Sequence, residues 1–384
     1  MPASVLAAAA PLTAAAPSGC TVAVAMSGGV DSSVAAALSV AAGLDTIGVT
    51  MRLWGTEEAE RGEGGCCSLD AVEDARRVCH LLGIPHYVLN MREHFRETVI
   101  ADFLAEYEVG RTPNPCIRCN EKVKFAELIR RTAGVGATHV ATGHYAVVER
   151  EVDGRFTLRR ASDPRKDQSY TLYRCDQEVL SRTLLPLGRL QKSEVRALAE
   201  DLGLSVAHKP DSQDLCFVAG GDHRLVLERE LAGRFSPGPM VATDGTQVGV
   251  HRGIPFYTVG QRQGLGVGVA GPNVAPSYVV ELDIEHNRVV VGPRDALAVS
   301  GCTVARAAYP CGSPAREVIS GEAQVRAHAK PVPASWCALD GTAARVEFAS
   351  PQIGIAAGQS LVLYDGDRVL AGGDVQAVVR QGEV

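Results

Sequence analysis

The chain has 384 residues, too long for one ordinary hydrophobic core, which indicates two or three domains; 46% of the residues are hydrophobic, but no run reaches the apolar length of a membrane span. The formal charge of −6 excludes a surface coated with basic residues, so any nucleic-acid contact must use local basic patches. Eleven cysteines at irregular spacings do not fit a secreted disulfide framework and indicate reduced thiols in the cytoplasm.

Residues 1–19 are dominated by alanine and carry no charged side chain. The charged start of a secretory signal and the arginine-rich face of a transit peptide are both missing. We expect this stretch to be a disordered extension, with an organellar targeting segment as the alternative.

Strands and helices alternate through residues 20–219. A short strand over residues 21–25 leads into a glycine-rich turn and a helix, and further buried strands are predicted at residues 46–51, 83–89 and 138–145. This alternation predicts an α/β domain with a parallel, doubly wound sheet. Active sites in such sheets collect at the carboxyl ends of the strands.

The sequence SGGVDSS at residues 27–33 lies between the first strand and the first helix. Paired glycines let backbone amides approach an anion, the helix N-terminus adds partial positive charge, and the hydroxyls add donors, so a pyrophosphate or triphosphate fits. A Walker A loop would offer a lysine where Asp31 stands, and a carboxylate there suits Mg²⁺ binding. The segment resembles the phosphate loop of the ATP-pyrophosphatase superfamily, whose members cleave ATP between its α and β phosphates to form adenylates.

Cys116 and Cys119 follow a proline-stiffened approach and precede a basic amphipathic helix. A helix start and nearby cations predict a lowered thiol pKa and a better nucleophile. Half a zinc site is the alternative, although no second pair of ligands follows at finger spacing. Cys216 lies in a polar loop and, taken alone, would be a buried, inert cysteine. Three other cysteines are expected to be structural: Cys66, Cys67 and Cys79.

Two runs of basic residues are candidate nucleic-acid contacts. Residues 110–131 contain six basic residues against two acidic ones, and residues 155–166 contain five against one. A solvated face explains such runs equally well, so both interpretations stay open.

From about residue 220 the composition changes, because glycine and proline become dense and short alternating segments follow. This pattern predicts β structure. We expect a catalytic domain at residues 20–219, a central Gly/Pro-rich β domain at residues 220–290, and a C-terminal β-barrel at residues 291–384.

Ten segments, in the family's order from about Thr21 to Val375, resemble the bacterial tRNA-specific 2-thiouridylase family. They are AMSGGVDSSVAAAL, GVTMRLW, GCCSLDAVEDARRV, GRTPNPCIRCNEKVKF, THVATGHYA, RKDQSYTLY, LGRLQKSEVRALA, DSQDLCF, FYTVGQRQGLGVG and PQIGIAAGQSLVLYDGDRVLAGGDV. The resemblance implies an α/β domain of the adenine nucleotide alpha hydrolase type, a small central domain, and a C-terminal β-barrel that contacts tRNA.

The resemblance also implies roles at matching positions. The positions that match the family's nucleotide contacts are Ala25, Met26, Ser27, Gly28, Gly29, Val30, Asp31, Ser32, Met51 and Gly143. The positions that match the family's tRNA contacts are Asn114, Pro115, Cys116, His144, Lys166, Asp167, Gln168, Arg326 and Gln359. The first three of these correspond to the part that faces the target base. Cys119 corresponds to the nucleophile, and Cys216 to the cysteine that carries sulfur as a persulfide.

The implied reaction is ATP-dependent adenylation of the C2 oxygen of wobble uridine 34, followed by sulfur transfer to form 2-thiouridine in tRNAs for Lys, Glu and Gln. Mg²⁺ would accompany ATP near Asp31, and AMP and pyrophosphate would leave. The uridine must be splayed out of the anticodon stem-loop. A cysteine desulfurase or sulfur-relay protein would supply sulfur, and a cellular reductant would reopen a Cys119–Cys216 disulfide.

Three alternatives remain open. The first is that Cys116, Cys119 and Cys216 hold three irons of a 4Fe–4S cluster and do not act as a nucleophile and a persulfide carrier. Cys116 stands where some family members carry Asp. A synthetase acting on a small carboxylate would use the same phosphate loop without needing paired thiols. A noncatalytic tRNA-binding protein would consume no ATP.

Overall fold

The computed structural model describes residues 1–17, 19–54, 69–211, 215–218, 222–266, 277–312, 318–327 and 329–380. Cys66 and Cys67, which we expected to be structural, lie outside the described residues, whereas Cys79 is buried. None of the helices in these ranges is both long and apolar enough to cross a membrane.

The first seven strands belong to the N-terminal domain. They are β1 (Thr21–Ala25), β2 (Asp45–Arg52), β3 (His86–Asn90), β4 (His139–Ala141), β5 (Val147–Arg150), β6 (Phe156–Arg159) and β7 (Thr183–Leu184). In the described part of the chain, five of these strands form a parallel sheet in the order β3–β2–β1–β4–β7. Val22, Ala23 and Val24 of the central strand β1 are fully buried, as helices on both faces require. The predicted parallel α/β sheet is confirmed.

Helices surround this sheet and continue into the next domain. They are α1 (Ala3–Ala15), α2 (Val30–Ala41), α3 (Leu69–Leu82), α4 (Arg92–Phe95), α5 (Ala101–Glu108), α6 (Pro115–Arg118), α7 (Leu128–Ala133), α8 (Gln177–Ser181), α9 (Lys192–Asp201) and α10 (His223–Glu230). Two π-helical stretches, Arg96–Ile100 and Cys119–Glu127, join α4 to α5 and α6 to α7. Two long helices result, over residues 92–108 and 115–133.

Helix α1 corrects one expectation, because residues 3–15 are helical and not disordered. Val5, Ala9 and Leu12 are buried, and α1 packs on α2 and α9. Alanine has the highest helix propensity, and these three side chains recur at the spacing of one helix face. The absence of charged side chains, which suggested disorder, is explained by a helix that packs against apolar neighbours.

The remaining strands form the central domain and a barrel. They are β8 (Gly238–Ala242), β9 (Gln247–His251), β10 (Tyr278–Asp283), β11 (Arg288–Gly292), β12 (Ala298–Ala308), β13 (Ile319–Gln324), β14 (Val332–Ala338), β15 (Ala344–Ile353), β16 (Ser360–Asp365) and β17 (Arg368–Arg380). As far as the chain is described, the central sheet has the order β10–β11–β8–β9. Strand β12 pairs with both β15 and β17, which closes β12 to β17 into a six-stranded barrel. The predicted C-terminal β-barrel is therefore confirmed.

Asp374 of β17 joins the barrel to the N-terminal domain. Its carboxylate accepts hydrogen bonds from Arg118 at 3.2 Å, Arg174 at 2.8 Å and Arg306 at 2.7 Å, and from the Tyr173 hydroxyl at 3.0 Å. Burial disfavours the charged carboxylate, but the three guanidinium groups together hold the pKa of Asp374 below its usual value. Because Arg118 belongs to the helix that carries Cys116 and Cys119, this network fixes the barrel relative to that helix.

Candidate active site

The phosphate loop lies at the carboxyl end of β1, where α2 begins after Gly29. Gly28 has a φ of +70°, and a Cβ built on it would lie 2.3 Å from the carbonyl oxygen of Ala71, so only glycine fits. The Ser27 amide donates to the Ser32 hydroxyl at 3.2 Å and closes the turn. The result is the glycine-rich cradle at a helix N-terminus that the sequence predicts.

Gly143 packs against this loop from the segment after β4. A Cβ on Gly143 would lie 2.7 Å from the Ser32 nitrogen and 2.8 Å from the Asp31 carbonyl carbon. Met51 lies near the end of β2, the strand that pairs with β1, and is half-buried against the core. The predicted nucleotide residues therefore converge at one edge of the sheet.

Asp31 has two partners that the sequence did not reveal. The Tyr145 hydroxyl donates to its carboxylate at 2.7 Å, and the Lys192 ammonium lies 2.7 and 2.8 Å from its two oxygens. Lys192 also lies 2.9 Å from Asp211. The Asp31 carboxylate is a hard oxygen ligand suited to Mg²⁺, and it is shared here with an ammonium group.

Lys209 is a second unpredicted cation at the loop. Its ammonium donates to the Gly28 carbonyl oxygen at 3.0 Å and to Asp74 of α3 at 2.9 Å. Neither lysine stands at a spacing from SGGVDSS that marks it as a partner, because Lys192 reaches the loop through the packing of α9 on α2 and Lys209 lies in the segment after α9.

Asn114 and Pro115 start the helix that carries the paired cysteines. The Asn114 side-chain oxygen accepts from the Cys116 amide at 3.1 Å, and Pro115 occupies the first turn. Cys116 reaches solvent and Cys119 is buried. Surrounding protein raises the pKa of the Cys116 thiol and Lys124 offsets this only in part, so the predicted lowering is wrong for Cys116.

His144 connects the phosphate loop to the cysteine helix. It follows Gly143, its ring nitrogen Nδ1 lies 2.7 Å from the Thr142 hydroxyl, and its ring centroid lies 5.8 Å from that of Phe125. Burial, with a smaller contribution from Lys124, lowers the pKa of His144 to about 3. His144 is thus a buried, neutral side chain, and its predicted tRNA contact stays a prediction.

In the predicted tRNA strip at residues 166–168, Asp167 is buried, Lys166 is half-buried and Gln168 is exposed. Lys166 pairs with Asp211 at 2.7 Å. Asp167 accepts from the Ala161 amide at 3.0 Å and from the Ser169 hydroxyl at 2.9 Å. The Gln168 side-chain oxygen accepts from the Tyr145 amide at 3.0 Å. These side chains shape the wall beside the phosphate loop.

Cys216 is exposed, and the residue after it anchors its loop. The Phe217 ring contacts the rings of Trp54, Phe95 and Phe103 at centroid distances of 6.1, 6.0 and 5.3 Å. Those phenylalanines belong to the helix of residues 92–108, which also packs against the helix that carries Cys119. The segment of Cys216 thus packs on the helix of residues 92–108, and the helix that carries Cys119 packs against that same helix.

The three cysteines do not form a preformed cluster site. Throughout the described ranges, no group of three His, Cys, Asp or Glu side chains is arranged to hold a metal ion. In this conformation Cys116, Cys119 and Cys216 are not gathered into one ligand set, and the 4Fe–4S alternative stays a prediction.

The barrel borders the loop that precedes Asn114. The Thr112 amide donates to the Ala357 carbonyl at 2.8 Å. Arg326 is exposed and donates to the Gly354 carbonyl at 3.0 Å. The side-chain oxygen of Gln359 is buried without a hydrogen-bond partner. Gln359 thus lies next to the barrel residues that contact the loop before Asn114, whereas Arg326 contacts Gly354 of the barrel.

The basic run at residues 110–131 does not form one positive surface. Arg118 is buried among Asp102, Glu121 and Asp374. Arg111 pairs with Glu106, and Arg130 and Arg131 both pair with Glu127. In the second run, Arg159 meets three carboxylates and Arg160 pairs with Asp167. A count of charges along the chain overstated the positive field.

Three family models match the chain in succession. Residues 20–220 match the tRNA methyl transferase HUP domain, residues 225–293 its PRC-barrel domain, and residues 299–375 the aminomethyltransferase β-barrel domain. A tRNA-specific 2-thiouridylase MnmA from Heliobacterium modesticaldum is 50% identical over 358 residues, covering 92% of each chain. The MnmA of Pelotomaculum thermopropionicum is 46% identical over 93% of this chain and 97% of its own length. The chain belongs to the tRNA-specific 2-thiouridylase (MnmA) family.

This membership confirms the predicted enzyme class, a tRNA sulfurtransferase that acts in 2-thiolation. Solved structures show weaker likeness. The U34-tRNA thiolase NcsA from Methanococcus maripaludis with its 4Fe–4S cluster is 18% identical, with a TM-score of 0.35 over 60% of this chain and 73% of that one. NMN synthetase from Francisella tularensis gives the same identity and TM-score over 58% and 79%. Likeness at this level carries no argument about ligands.

Proposed function

We propose that this enzyme adenylates the C2 oxygen of uridine 34 in tRNAs for Lys, Glu and Gln and then replaces that oxygen with sulfur. The observation that carries the proposal is the convergence of the phosphate loop and the cysteine helix on the segment of Gly143 and His144. The segment of Gly143 and His144 contacts both the loop that would bind the nucleotide and the helix that begins with Asn114, Pro115 and Cys116.

Adenylation activates a poor electrophile. The uridine C2 oxygen attacks the α-phosphorus of ATP and pyrophosphate leaves, so that the C2 oxygen can later depart from C2 as part of AMP, a good leaving group. Backbone amides of the loop at Gly28 and Gly29 would stabilise charge on the departing pyrophosphate. When bound, Mg²⁺ would screen that charge, with Asp31 as its protein ligand.

The two thiols, Cys119 and Cys216, would carry out the sulfur transfer. The terminal sulfur of a Cys216 persulfide forms a bond to C2, and AMP departs with the C2–O bond electrons. The Cys119 thiolate then attacks the Cys216 sulfur, which frees the thiocarbonyl and leaves a Cys119–Cys216 disulfide. In the other order, Cys119 first releases sulfide from the persulfide, and that sulfide attacks C2.

Other components act outside the chain. A cysteine desulfurase or sulfur-relay protein would load Cys216, whose exposure permits access. A cellular reductant would return the disulfide to two thiols by supplying two electrons. We expect the reaction to take place in the cytoplasm, where thiols stay reduced.

Nucleoside mass analysis tests the proposal. The protein is incubated with unmodified tRNA, ATP, Mg²⁺, cysteine and a cysteine desulfurase, and 2-thiouridine, AMP and pyrophosphate are measured. We expect one AMP and one pyrophosphate for each 2-thiouridine. Formation of 2-thiouridine without AMP, or AMP that does not depend on tRNA, would contradict the proposed order.

Three serine variants test the role of each thiol separately. Cys119→Ser and Cys216→Ser should abolish thiolation but keep binding of a non-hydrolysable ATP analogue, and Cys119→Ser should retain the persulfide on Cys216. Cys337→Ser in β14 is the matched control and should thiolate normally. Equal activity in all three variants would remove both assigned roles.

A further inference from the structure

Two lysines from the later half of the domain contact the phosphate loop. The Lys192 ammonium lies 2.7 and 2.8 Å from the oxygens of Asp31, and the Lys209 ammonium donates to the Gly28 carbonyl at 3.0 Å. Neither residue is among the nucleotide-binding positions carried over from the family resemblance. Both ammonium groups therefore lie within one side-chain movement of any phosphate that the loop holds.

Carboxylates outside the loop keep both ammonium groups in place. Lys192 is bound by Asp211 at 2.9 Å and its side chain is only 12% exposed, while Lys209 is bound by Asp74 at 2.9 Å. A cation this enclosed needs a partner, because desolvation would otherwise destabilise it. Asp211 and Asp74 anchor the lysines next to the loop without belonging to it.

We propose that Lys192 and Lys209 bind the polyphosphate of the nucleotide. Lys209 donates to a phosphate oxygen beside Gly28, and Lys192 exchanges Asp31 for a phosphate oxygen when Asp31 turns to Mg²⁺. The inference rests on the proposed ATP-dependent function and deepens it. An ammonium group is a common point-charge partner for phosphate, and SGGVDSS supplies no lysine of its own.

A purely structural role for the lysines makes a different prediction. Lysines that only hold α9 and the loop together would affect all ligands of the site to the same degree. Lysines that contact β and γ phosphates would affect a triphosphate far more than AMP. Lys209 gives the cleaner comparison, because Asp74 keeps Arg77 as a partner when Lys209 is removed.

Calorimetric titration of the full chain without tRNA or sulfur donor tests this. The probes are the Mg²⁺ complex of α,β-methylene-ATP, and AMP, with Lys192→Met, Lys192→Arg, Lys209→Met and wild type. We expect each Met variant to bind the triphosphate analogue about 10- to 100-fold more weakly, the effect of losing one charge-assisted hydrogen bond, and AMP within about threefold. Lys192→Arg should recover part of the loss. Lys330→Met, at an exposed barrel position, is the control and should bind both probes normally.

Several results would overturn the inference. Unchanged affinity for the triphosphate analogue in both Met variants would do so, as would equal weakening of both probes. If wild type binds the analogue, the lysine variants lose it, and no 2-thiouridine forms in the complete assay, the lysine assignment stands and the proposed function fails. If thiolation proceeds while the Met variants bind normally, only the lysine assignment fails.

Discussion

The Lys166 ammonium lies 2.7 Å from one oxygen of the Asp211 carboxylate. The other oxygen lies 2.9 Å from Lys192, which continues to Asp31 in the phosphate loop. Burial raises the pKa of Asp211, but Lys166 and Lys192 outweigh it and the net shift is downward. One carboxylate thus links the predicted tRNA strip to the phosphate loop.

Replacing Asp211 should uncouple tRNA binding from adenylation. In Asp211→Asn the two lysines lose their shared anion, so a tRNA contact at Lys166 no longer moves Lys192. We expect the gain in affinity for α,β-methylene-ATP that bound tRNA produces to fall about 5- to 100-fold, the range of typical coupling free energies. Asp201→Asn, at the far end of α9, should keep the full gain in affinity. An equal loss of analogue affinity with and without tRNA would argue against coupling.

Gly143→Ala should displace the phosphate loop. The new Cβ would lie 2.7 Å from the Ser32 nitrogen, a contact that only movement of the loop can relieve. We expect about 10- to 100-fold weaker binding of the Mg²⁺ complex of α,β-methylene-ATP, because small misplacements of binding groups have effects of that order. Gly134→Ala, whose nearest atom would be 3.6 Å away, should bind normally. Similar affinities for the two variants would refute the packing argument.

Asp374→Asn should destabilise the junction of barrel and N-terminal domain. Three guanidinium groups would lose a buried anion, which typically costs about 3–5 kcal/mol in the free energy of unfolding. Urea denaturation measures this, and Asp367→Asn, whose side chain is 59% exposed, should change stability by less than about 1 kcal/mol.

Acid adds a second test at Asp374. Its lowered pKa stabilises the folded state above the unfolded value of about 4, and this contribution disappears as pH falls through the folded pKa. The variant should therefore lose less stability than wild type as pH falls below about 4. An identical acid slope in both proteins would mean that Asp374 is not charged in the fold.

His144 should make the fold sensitive to mild acid. Burial lowers its pKa to about 3, whereas an unfolded histidine titrates near about 6.5. The unfolded state therefore binds a proton first, and the free energy of unfolding should fall as pH drops through this window. Ring signals in NMR spectra should show a neutral imidazole at pH 5. His144→Gln should flatten the dependence, while His208→Gln, with a side chain 85% exposed, should leave it in place.

Helix α1 offers a comparison within one element. Leu12 is 8% exposed against the neighbouring helices, and Leu6 of the same helix is 49% exposed. Leu12→Ala should reduce the free energy of unfolding by about 2 kcal/mol or more, and Leu6→Ala by much less. If the two substitutions have equal effects in thermal unfolding, α1 does not pack as described.

Local chemistry determined the parts of the site that the chain specifies by itself. Gly28 and Gly29 are recognisable because a strand, a turn with positive φ and a helix start follow within a few residues. Asn114 and Pro115 are recognisable for the same reason, since a cap and its helix are neighbours in sequence. Alternation of strands and helices likewise predicted the parallel sheet.

Tertiary structure decided the electrostatics. Asp31 meets Tyr145 and Lys192, which lie 114 and 161 residues later, and Arg118 meets Asp374, 256 residues later. No spacing rule links such residues, because strand order and helix packing bring them together. Arg118 of the basic run is neutralised by Asp102 and Asp374 from other elements, which no local pattern predicts, whereas Arg130 and Arg131 pair with Glu127 of the same run.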